Sequence, residues 1–431
     1  MKAKKTVFVG IPQVVEQSSL RGKSGGVVGK KTVFVGMSGG VDSSVAAALL
    51  KQAKPNNFSK LFGRPTPKGF RGYLVIGIFI KIEIGGDCSW RQERRSAFTA
   101  AAILDIPLYT IDLSKEYEQA VVDYMLAEYR AGRTPNPDVM CNQQIKFGAF
   151  YDWAIKTRID ADKTQINADF IATGHYARVE RTRELSMINS QFTNSKIKDI
   201  ENSLEIENCK LKIPKDLIKD QTYFLYAIDR EKLAKILFPL GDLKKDEVRK
   251  LAKKFGLPNA DKPDSQGLCF VGDFDFKKFL REKIGVKKGE VKNEQGEVIG
   301  EHDGVYLFTI GERHGFTIYQ HSNDEKPYYI VTKDLANNVL TVSTTPLSGS
   351  SEEVGEIALE KVNWLVTVKP TTAKIYHARL RHRGALTACQ LREGEKGEWR
   401  VIFTEPITSP APGQSVVIYD GDVCLGGGVI K

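Results

Sequence analysis

The chain has 431 residues, 41% of them hydrophobic and 27% charged, which is ordinary for a soluble globular protein of two or three domains. No apolar run reaches about 18 residues, so the composition argues against a membrane span, and we expect a cytoplasmic protein. The net charge of +10 suits a polyanionic partner such as nucleic acid, although a generally basic background explains the charge equally well.

The N-terminal residues partly repeat the sequence that follows them. Residues 4–10 recur almost intact as residues 30–36, but only the second copy continues into SGGVDSS. We therefore interpret residues 1–29 as an extension outside the folded core, with a transit peptide as the weaker alternative.

The segment 31–50 predicts a strand, a glycine loop and a helix. Residues 32–35 are β-branched or aromatic, residues 38–40 are Ser-Gly-Gly, and residues 45–50 are rich in Ala and Leu. Such a loop directs backbone N–H groups and a helix N-terminus at one point, which favours an anion. No Lys follows the glycines, so the loop is not of the GxxxxGK[ST] type. A plain glycine turn is the alternative, but SGGVDS resembles the pyrophosphate loop of ATP pyrophosphatases, which cleave ATP to AMP and pyrophosphate.

Strands and helices alternate through the rest of this domain, which we place at residues 30–213. Residues 73–80, 106–113 and 169–173 predict strands, and residues 115–131 predict a helix that Gly132 ends. This alternation predicts an α/β fold with a parallel sheet, whose ligands bind beyond the carboxyl ends of the strands. The polar segments 54–72 and 181–212 are interpreted as inserted surface loops.

Two further domains are expected. Residues 214–288 predict a small central helical or mixed domain with a helix at residues 242–255, whose basic face is either solvated or in contact with nucleic acid. Residues 289–431 predict a C-terminal β-barrel, with strands around residues 334–338 and an alternating basic stripe at residues 374–383.

The six cysteines show no CxxC spacing, which argues against a structural zinc site. Cys141 and Cys269 lie in loop-like sequences, with Lys146 and Lys262 nearby in the chain. The residues alone leave two interpretations open, reactive thiols in an electropositive setting or ordinary buried cysteines.

Five motifs occur together in one order: SGGVDSS, AEYRAGRTPNPDVMCN, ATGHYAR, KDQTYFLY and DSQGLCFVGD. This combination resembles the tRNA-specific 2-thiouridylase family, over nearly the whole chain from residue 31. The family makes 2-thiouridine at the wobble position of certain tRNAs. The resemblance implies that the first domain is a PP-loop ATP-pyrophosphatase domain of the adenine nucleotide alpha hydrolase type.

The resemblance also implies site residues. Asp42 would hold Mg²⁺, and Ile80 would lie beside the adenine at a position that is often Met in the family. The implied ATP-binding residues are Gly36, Met37, Ser38, Gly39, Gly40, Val41, Asp42, Ser43, Ile80 and Gly174. The implied tRNA-binding residues are Asn136, Pro137, Asp138, His175, Lys219, Asp220, Gln221, Arg381, His382 and Gln414.

The implied chemistry joins ATP to sulfur transfer. ATP would adenylate O2 of the wobble uridine, and sulfur would pass to C2 from a persulfide on Cys269. Cys141 would be the second thiol and form a transient disulfide with Cys269. Asp138 is a candidate general acid/base, and positioning of Cys141 is its alternative role. The expected partners are tRNA and a persulfide donor such as a cysteine desulfurase or relay protein, and we expect a monomer.

Two other functions are compatible with parts of the sequence. One is a PP-loop enzyme that adenylates a small molecule, and the other is an RNA-binding homologue without catalysis. The second insertion separates ATGHYAR from KDQTYFLY. We expect that deletion of residues 185–207 leaves ATP binding intact.

Overall fold

The computed structural model describes residues 14–17, 30–58, 70–84, 89–156, 159–161, 164–183, 207–263, 276–319, 326–345, 353–394, 397–408 and 410–431. Within these ranges no helix combines the length and the apolar character that crossing a membrane requires.

The first part of the chain builds an α/β layer structure. Its strands are β1 Val14–Gln17, β2 Lys31–Gly36, β3 Tyr73–Lys81, β4 Leu108–Asp112, β5 Ile159–Ala161, β6 Thr164–Ile166, β7 Phe170–Ala172, β8 Arg178–Arg183, β9 Glu207–Lys212 and β10 Ile236–Leu237. Six of them form one sheet in the order β1-β4-β3-β2-β7-β10, in which all neighbouring pairs except β1–β4 are parallel. The predicted parallel sheet is therefore confirmed.

The N-terminal extension is not entirely separate from the core, contrary to our expectation for residues 1–29. Val14–Gln17 pairs antiparallel with β4 and forms the edge of the sheet. An edge strand presents unpaired N–H and C=O groups, so an extended segment nearby can add to it.

Helices cover both faces of the sheet. They are α1 Val41–Gln52, α2 Trp90–Ile103, α3 Ser114–Tyr117, α4 Asp123–Arg130, α5 Pro137–Met140, α6 Phe150–Lys156, α7 Thr222–Leu225, α8 Lys245–Lys254 and α9 Phe276–Ile284. Val33 and Val35 pack with α1, α2 and α8 on one face, whereas Phe34 packs with α6 on the other. Burial on both faces explains the nearly continuous apolar run of β2.

Two π-helical segments interrupt the helices. Glu118–Val122 joins α3 to α4, so the helix predicted at residues 115–131 is present but widened in its middle. Cys141–Ala149 joins α5 to α6. In a π-helix the backbone N–H of residue i+5 donates to the carbonyl oxygen of residue i, and such segments occur frequently at functional sites.

The last part of the chain contains two β units where we expected one barrel over residues 289–431. The strands are β11 Gly289–Lys292, β12 Val298–His302, β13 Thr317–Ile318, β14 Tyr329–Asp334, β15 Val339–Ser343, β16 Glu353–Trp364, β17 Tyr376–Arg379, β18 Thr387–Glu393, β19 Trp399–Thr408, β20 Ser415–Asp420 and β21 Val423–Ile430. β11 to β15 form a five-stranded sheet of their own. β16 to β21 form the predicted barrel, which closes because β16 pairs with both β19 and β21.

The second insertion, predicted as a surface loop over residues 181–212, contains part of a hairpin. β8 and β9 pair antiparallel from Arg178↔Lys212 to Arg183↔Glu207, and β9 pairs with β21. The hairpin therefore extends the barrel sheet and links the first domain to the last. Polar composition concealed these strands because β8 and β9 carry several Arg and Lys residues.

Candidate functional site

The glycine loop follows β2 at the carboxyl edge of the parallel sheet. Gly39 has a φ of 83°, in the left-handed region, and a Cβ at this position would lie 2.3 Å from the carbonyl oxygen of Glu93. Only glycine fits both the conformation and the space. α1 begins directly afterwards with Gly40 as its N-cap, which offers no capping side chain. The first turn of α1 therefore presents its N–H groups to the adjoining space, as an anion site requires.

Side chains from distant elements fix this loop. Asn259 donates from Nδ2 to the carbonyl oxygen of Gly39 at 3.0 Å and to Oγ of Ser44 at 3.0 Å. Ser96 donates to the same carbonyl oxygen at 2.9 Å, and Lys262 binds Glu93 at 2.6 Å. The loop is thus held from α2 and from the segment after α8.

Gly174 approaches the loop from the end of β7. A Cβ on Gly174 would lie 2.6 Å from the backbone nitrogen of Ser43 and 2.7 Å from the carbonyl carbon of Asp42. Any larger residue would displace the first turn of α1. The close approach explains why a glycine occupies this position in ATGHYAR.

Asp42 has protein partners. Its two carboxylate oxygens each lie 2.8 Å from Nζ of Lys245 on α8, and Oδ1 accepts from the hydroxyl of Tyr176 at 2.9 Å. The side chain of Lys245 is only 10% exposed. The basic face predicted for residues 242–255 is therefore not uniformly solvated, because Lys245 points inward to the loop and Arg249 donates to the carbonyl oxygens of Ala260 and Lys262.

The NPDVMCN segment forms the opposite wall. Asn136 caps α5 by accepting from the backbone N–H of Val139, with Pro137 as the first helical residue. Cys141 begins the π-helical segment and is 1% exposed. Asn142, the next residue, donates to the carbonyl oxygen of Phe224 at 3.2 Å.

Lys146 and His175 form a buried polar pair. Nζ of Lys146 lies 3.4 Å from Nε2 of His175, and Nδ1 of His175 lies 2.8 Å from Oγ1 of Thr173. Burial, with the positive charge of Lys146 as a second cause, lowers the pKa of His175 well below its usual value. Since an ammonium group only donates, Nε2 of the neutral imidazole accepts and Nδ1 carries the proton. Lys146 and Cys141 belong to the same π-helical segment, five positions apart.

The barrel contributes the loop after β17. The ring of His382 packs against Phe224 in a tilted arrangement with centroids 4.5 Å apart, and Arg383 also lines the site. Arg379 of β17 binds Asp220 at 2.5 Å, and its guanidinium lies 5.1 Å from the ring centroid of Tyr419. The basic stripe predicted over residues 374–383 is therefore broken, since the Arg379 side chain is 11% exposed.

These walls enclose an open cavity of about 530 Å³. One side is the glycine loop with Gly174, and the other carries Asp138, Asn142, Phe224 and His382. The charged lining side chains comprise more cations than anions, and they are Lys146, Lys219, Lys262, Arg383, Asp42 and Asp138. The size suits a nucleotide or similar ligand, and the charge suits a polyanion.

Most of the residues that sequence analysis selected meet at this cavity. Those that line it are Gly36, Ser38, Gly40, Val41, Asp42, Ser43, Ile80, Asp138, Gly174, His175, Lys219, Gln221 and His382. Met37 and Gly39 are buried beneath the loop. The Asp220 side chain is occupied by Arg379 and Thr222, Gln414 donates to the carbonyl oxygen of Thr134, and Arg381 is exposed. Cys269 lies outside the described residues.

Several residues of the site were not selected from the sequence. Tyr176, Asn142 and Phe224 lie within the five motifs but were given no role, and Lys245 lies outside the motifs. Lys146 was noted near Cys141, but its pairing with His175, 29 positions away, was not predicted. Lys245 could not be found locally, since it is 203 positions from Asp42.

The site fits a nucleoside triphosphate better than a metal ion that is held by protein side chains alone. Within the described ranges no group of three or more His, Cys, Asp or Glu side chains is placed to hold a metal ion. Asp42 offers one carboxylate, which is compatible with Mg²⁺ because this ion usually takes one or two carboxylates together with substrate phosphates. Asp42 would then have to share its oxygens between Mg²⁺ and Lys245.

Family models match most of the chain between residues 31 and 430. A family model described as the tRNA methyl transferase HUP domain matches residues 31–273. Models described as the tRNA methyl transferase PRC-barrel domain and the aminomethyltransferase beta-barrel domain match residues 277–344 and 354–430, in agreement with the two β units.

Curated relatives match over nearly their full lengths. The tRNA-specific 2-thiouridylase MnmA of Nitrosomonas eutropha is 39% identical over 409 residues, which are 93% of this chain and 98% of that protein. The protein of the same name from Listeria monocytogenes serovar 1/2a is 39% identical over 402 residues, covering 92% and 94%. That of Alcanivorax borkumensis is 39% identical over 407 residues, covering 93% and 97%. Identity at this level over almost the entire chain places the protein in the tRNA-specific 2-thiouridylase family.

Proposed function

We propose that this protein is a tRNA 2-thiouridine synthase, a tRNA-uridine 2-sulfurtransferase that uses ATP to activate the wobble uridine. One observation carries the proposal: the SGGVDS loop, the NPDVMCN segment and the barrel residue His382 line a single cavity. The names of the curated relatives support the same activity. A nucleotide site and a thiol-bearing segment that face each other suit activation followed by sulfur transfer.

ATP would lie with its phosphates on the glycine loop and its adenine beside Ile80. The N–H groups at the start of α1 and the lining cations, among them Lys262, would neutralise the triphosphate. Asp42 would hold Mg²⁺, which when bound supplies charge neutralisation to the departing pyrophosphate.

The target uridine would enter on the side of Asp138 and Phe224. Phe224 and His382 offer an aromatic surface on which a base can stack. O2 of the uridine attacks the α-phosphorus of ATP, the bond to the β-phosphate oxygen breaks, and pyrophosphate leaves. The uridine oxygen thereby becomes part of AMP, a much better leaving group than oxide. The ammonium group of Lys146, which lines the cavity, would stabilise the negative charge on the phosphate groups during this step.

Sulfur transfer then needs two thiols. The terminal sulfur of a Cys269 persulfide attacks C2, the C2–O bond breaks, and AMP leaves. Cys141 attacks Sγ of Cys269, a Cys141–Cys269 disulfide forms, and 2-thiouridine keeps the transferred sulfur. An external dithiol or thiol pair reduces the disulfide for the next turnover. In the alternative order, Cys141 releases hydrosulfide from the persulfide first, and hydrosulfide attacks C2.

Two of the other thiols, Cys389 and Cys424, do not suit this role. Burial raises the pKa of Cys389 and of Cys424 to about 12, so both are protonated at neutral pH. The persulfide would come from a cysteine desulfurase or a relay protein, and the enzyme would act as a monomer. Asp138 would serve as general acid/base or as the residue that positions Cys141.

The experiment combines the purified protein with ATP, Mg²⁺, a cysteine desulfurase and cysteine as the persulfide source, a thiol reductant and a tRNA transcript that has uridine at the wobble position. We expect pyrophosphate release that depends on tRNA, and 2-thiouridine in the digested tRNA by mass spectrometry. Cys141→Ser and Cys389→Ser form a matched pair, since both thiols are buried. Only the first variant should lose 2-thiouridine.

Three outcomes would contradict the proposal. Pyrophosphate release without tRNA but with a small molecule would indicate another PP-loop enzyme. Binding of tRNA without any turnover would indicate a non-catalytic RNA-binding protein. Full thiolation by Cys141→Ser would exclude the two-thiol chemistry.

A further inference from the structure

Two large apolar side chains are exposed side by side next to the cavity. Leu217 is 72% and Ile218 is 74% exposed, in the short 3₁₀ helix Leu217–Lys219. Exposing a single apolar side chain is normal, but an adjacent pair on one turn is a surface that gains free energy when a partner covers it.

The turn that carries this pair is fixed on both sides. Oδ1 of Asp216 accepts from the backbone N–H groups of Ile218 at 3.1 Å and Lys219 at 3.2 Å. Its other oxygen accepts from the backbone N–H of Lys245 at 2.8 Å. The pair is therefore presented in one orientation by a single carboxylate that ties the turn to α8.

The chain leads directly from the pair into the cavity wall. Lys219 follows Ile218 and lines the cavity, as does Gln221. Gln221 also forms two hydrogen bonds with the backbone of Tyr176, one from its own N–H at 3.1 Å and one through Oε1 at 2.8 Å. The exposed pair is thus directly adjacent in the chain to a side chain that lines the cavity.

We propose that Leu217 and Ile218 form an apolar wedge that packs against the anticodon loop of the RNA when the target uridine enters the cavity. The inference rests on the function proposed above. Extrusion of a base costs a few kcal/mol of stacking, and proteins offset such costs by inserting aliphatic side chains into the vacated position. Covering the wedge also releases water from two apolar side chains that the free protein leaves exposed.

Charge favours RNA over an apolar protein surface as the occupant. Lys215 lies two positions before the wedge and binds Glu247 at 3.1 Å. Lys244 is exposed next to Lys245, whose backbone N–H binds Asp216, and Lys219 and Lys262 line the cavity. An aliphatic pair within a basic surround matches bases flanked by phosphates.

The test compares the double variant L217S/I218S with the wild type, with L217M/I218V, which keeps the apolar surface, and with V368S. Val368 is 79% exposed on the barrel and serves as the matched exposed aliphatic control. The substrate is a tRNA transcript with 2-aminopurine next to the wobble uridine. Inorganic sulfide is the sulfur source, and it attacks C2 of the adenylated uridine directly and displaces AMP. Because all substituted side chains are exposed, the thermal midpoints should agree.

We expect L217S/I218S to lower kcat/KM for tRNA thiolation by about 10- to 100-fold, and to remove the rise in 2-aminopurine fluorescence that accompanies uridine extrusion. The ATP affinity of L217S/I218S should remain close to that of the wild type. The control variants L217M/I218V and V368S should resemble the wild type in kinetics and fluorescence. Wild-type kinetics and fluorescence in L217S/I218S would overturn the wedge. A defect that appears only with a protein sulfur donor would also overturn it, because the pair would then bind the donor. Absence of 2-thiouridine with the wild type and a protein persulfide donor would instead reject the proposed function.

Discussion

At the scale of single residues, Gly174 controls the distance between β7 and the first turn of α1. We expect Gly174→Ala to weaken ATP binding by about 10-fold or more. The added Cβ would lie 2.6 Å from the backbone nitrogen of Ser43, and the structural shift that such overpacking forces costs about 1–3 kcal/mol. Isothermal calorimetry with a non-hydrolysable ATP analogue measures the change.

Gly355→Ala is the matched control for this variant. A Cβ at Gly355, on β16, would meet no heavy atom within 4 Å. Its ATP affinity should equal that of the wild type. If Gly174→Ala also bound ATP normally, the glycine loop would not need the close approach that the structure contains.

His175 makes the stability of the protein dependent on pH. Its pKa is held well below the usual value by burial and by Lys146, so the folded state does not take up the proton that the unfolded state binds near pH 6.5. The unfolded state therefore binds more protons below pH 6.5, and stability falls as the pH decreases. Between pH 7.5 and 5.5 one such group lowers the free energy of unfolding by about 1.4 kcal/mol.

Urea unfolding of the wild type and His175→Gln at the two pH values isolates this contribution. Glutamine can accept from Lys146 and donate to Thr173 without titrating. The difference in free energy of unfolding between the two proteins should change by about 1.4 kcal/mol between pH 7.5 and pH 5.5. His377→Gln, at an exposed position of β17, should leave the pH dependence of the wild type unchanged. An equal pH dependence in His175→Gln would show that His175 does not carry the effect.

At the scale of elements, the ion pair between Asp220 and Arg379 joins the loop before α7 to β17. The two side chains are 2% and 11% exposed, and Asp220 also accepts from the backbone and hydroxyl of Thr222. Removal of one partner leaves a buried charge, so we expect Asp220→Asn to lower the free energy of unfolding by about 3–5 kcal/mol. Differential scanning fluorimetry and urea unfolding measure the loss.

The exposed pair Lys369–Glu393 is the control for this prediction. Its side chains are 59% and 43% exposed, and Glu393→Gln should cost less than about 1 kcal/mol. The family resemblance implies instead that Asp220 contacts tRNA. If Asp220→Asn reduced tRNA affinity at unchanged stability, Asp220 would contact tRNA directly instead of holding the barrel.

Sequence patterns predicted the regular elements better than the irregular ones. The strand at residues 73–80 and the helix at residues 242–255 follow from apolar periodicity, and both are present at Tyr73–Lys81 and Lys245–Lys254. The π-helical segment Cys141–Ala149 has no composition that marks it, since one changed hydrogen-bond register produces it. The β8–β9 hairpin escaped because tertiary pairing with β21 outweighs its polar composition.

At the scale of the whole molecule, local sequence patterns predicted only part of the site. Motifs predicted the glycine loop and Gly174, because backbone geometry there demands particular residue types. They could not predict that Lys245 would bind Asp42 or that Phe224 would pack against His382, because these contacts join separate domains through folding alone. Local sequence determines the geometry of the glycine loop. The rest of the cavity depends on how the barrel and α8 pack against the first domain.

The β8–β9 hairpin makes this docking testable. Because Arg183 and Glu207 are directly paired, a two-residue Asn-Gly turn can replace residues 184–206 without a change of register. We expect this variant to keep the thermal midpoint and the ATP affinity of the wild type, since both strands and their contact with β21 remain. This replacement is preferable to the deletion of residues 185–207, because that deletion would also remove the first residue of β9.

Leu211→Ala in β9 provides the opposite case. Leu211 is fully buried and lies where β9 pairs with β21, so its truncation should cost about 2–5 kcal/mol and loosen the barrel from the first domain. Limited proteolysis should then release a barrel fragment from Leu211→Ala but not from the Asn-Gly variant. The reverse pattern would mean that residues 184–206, and not the paired strands, hold the two domains together.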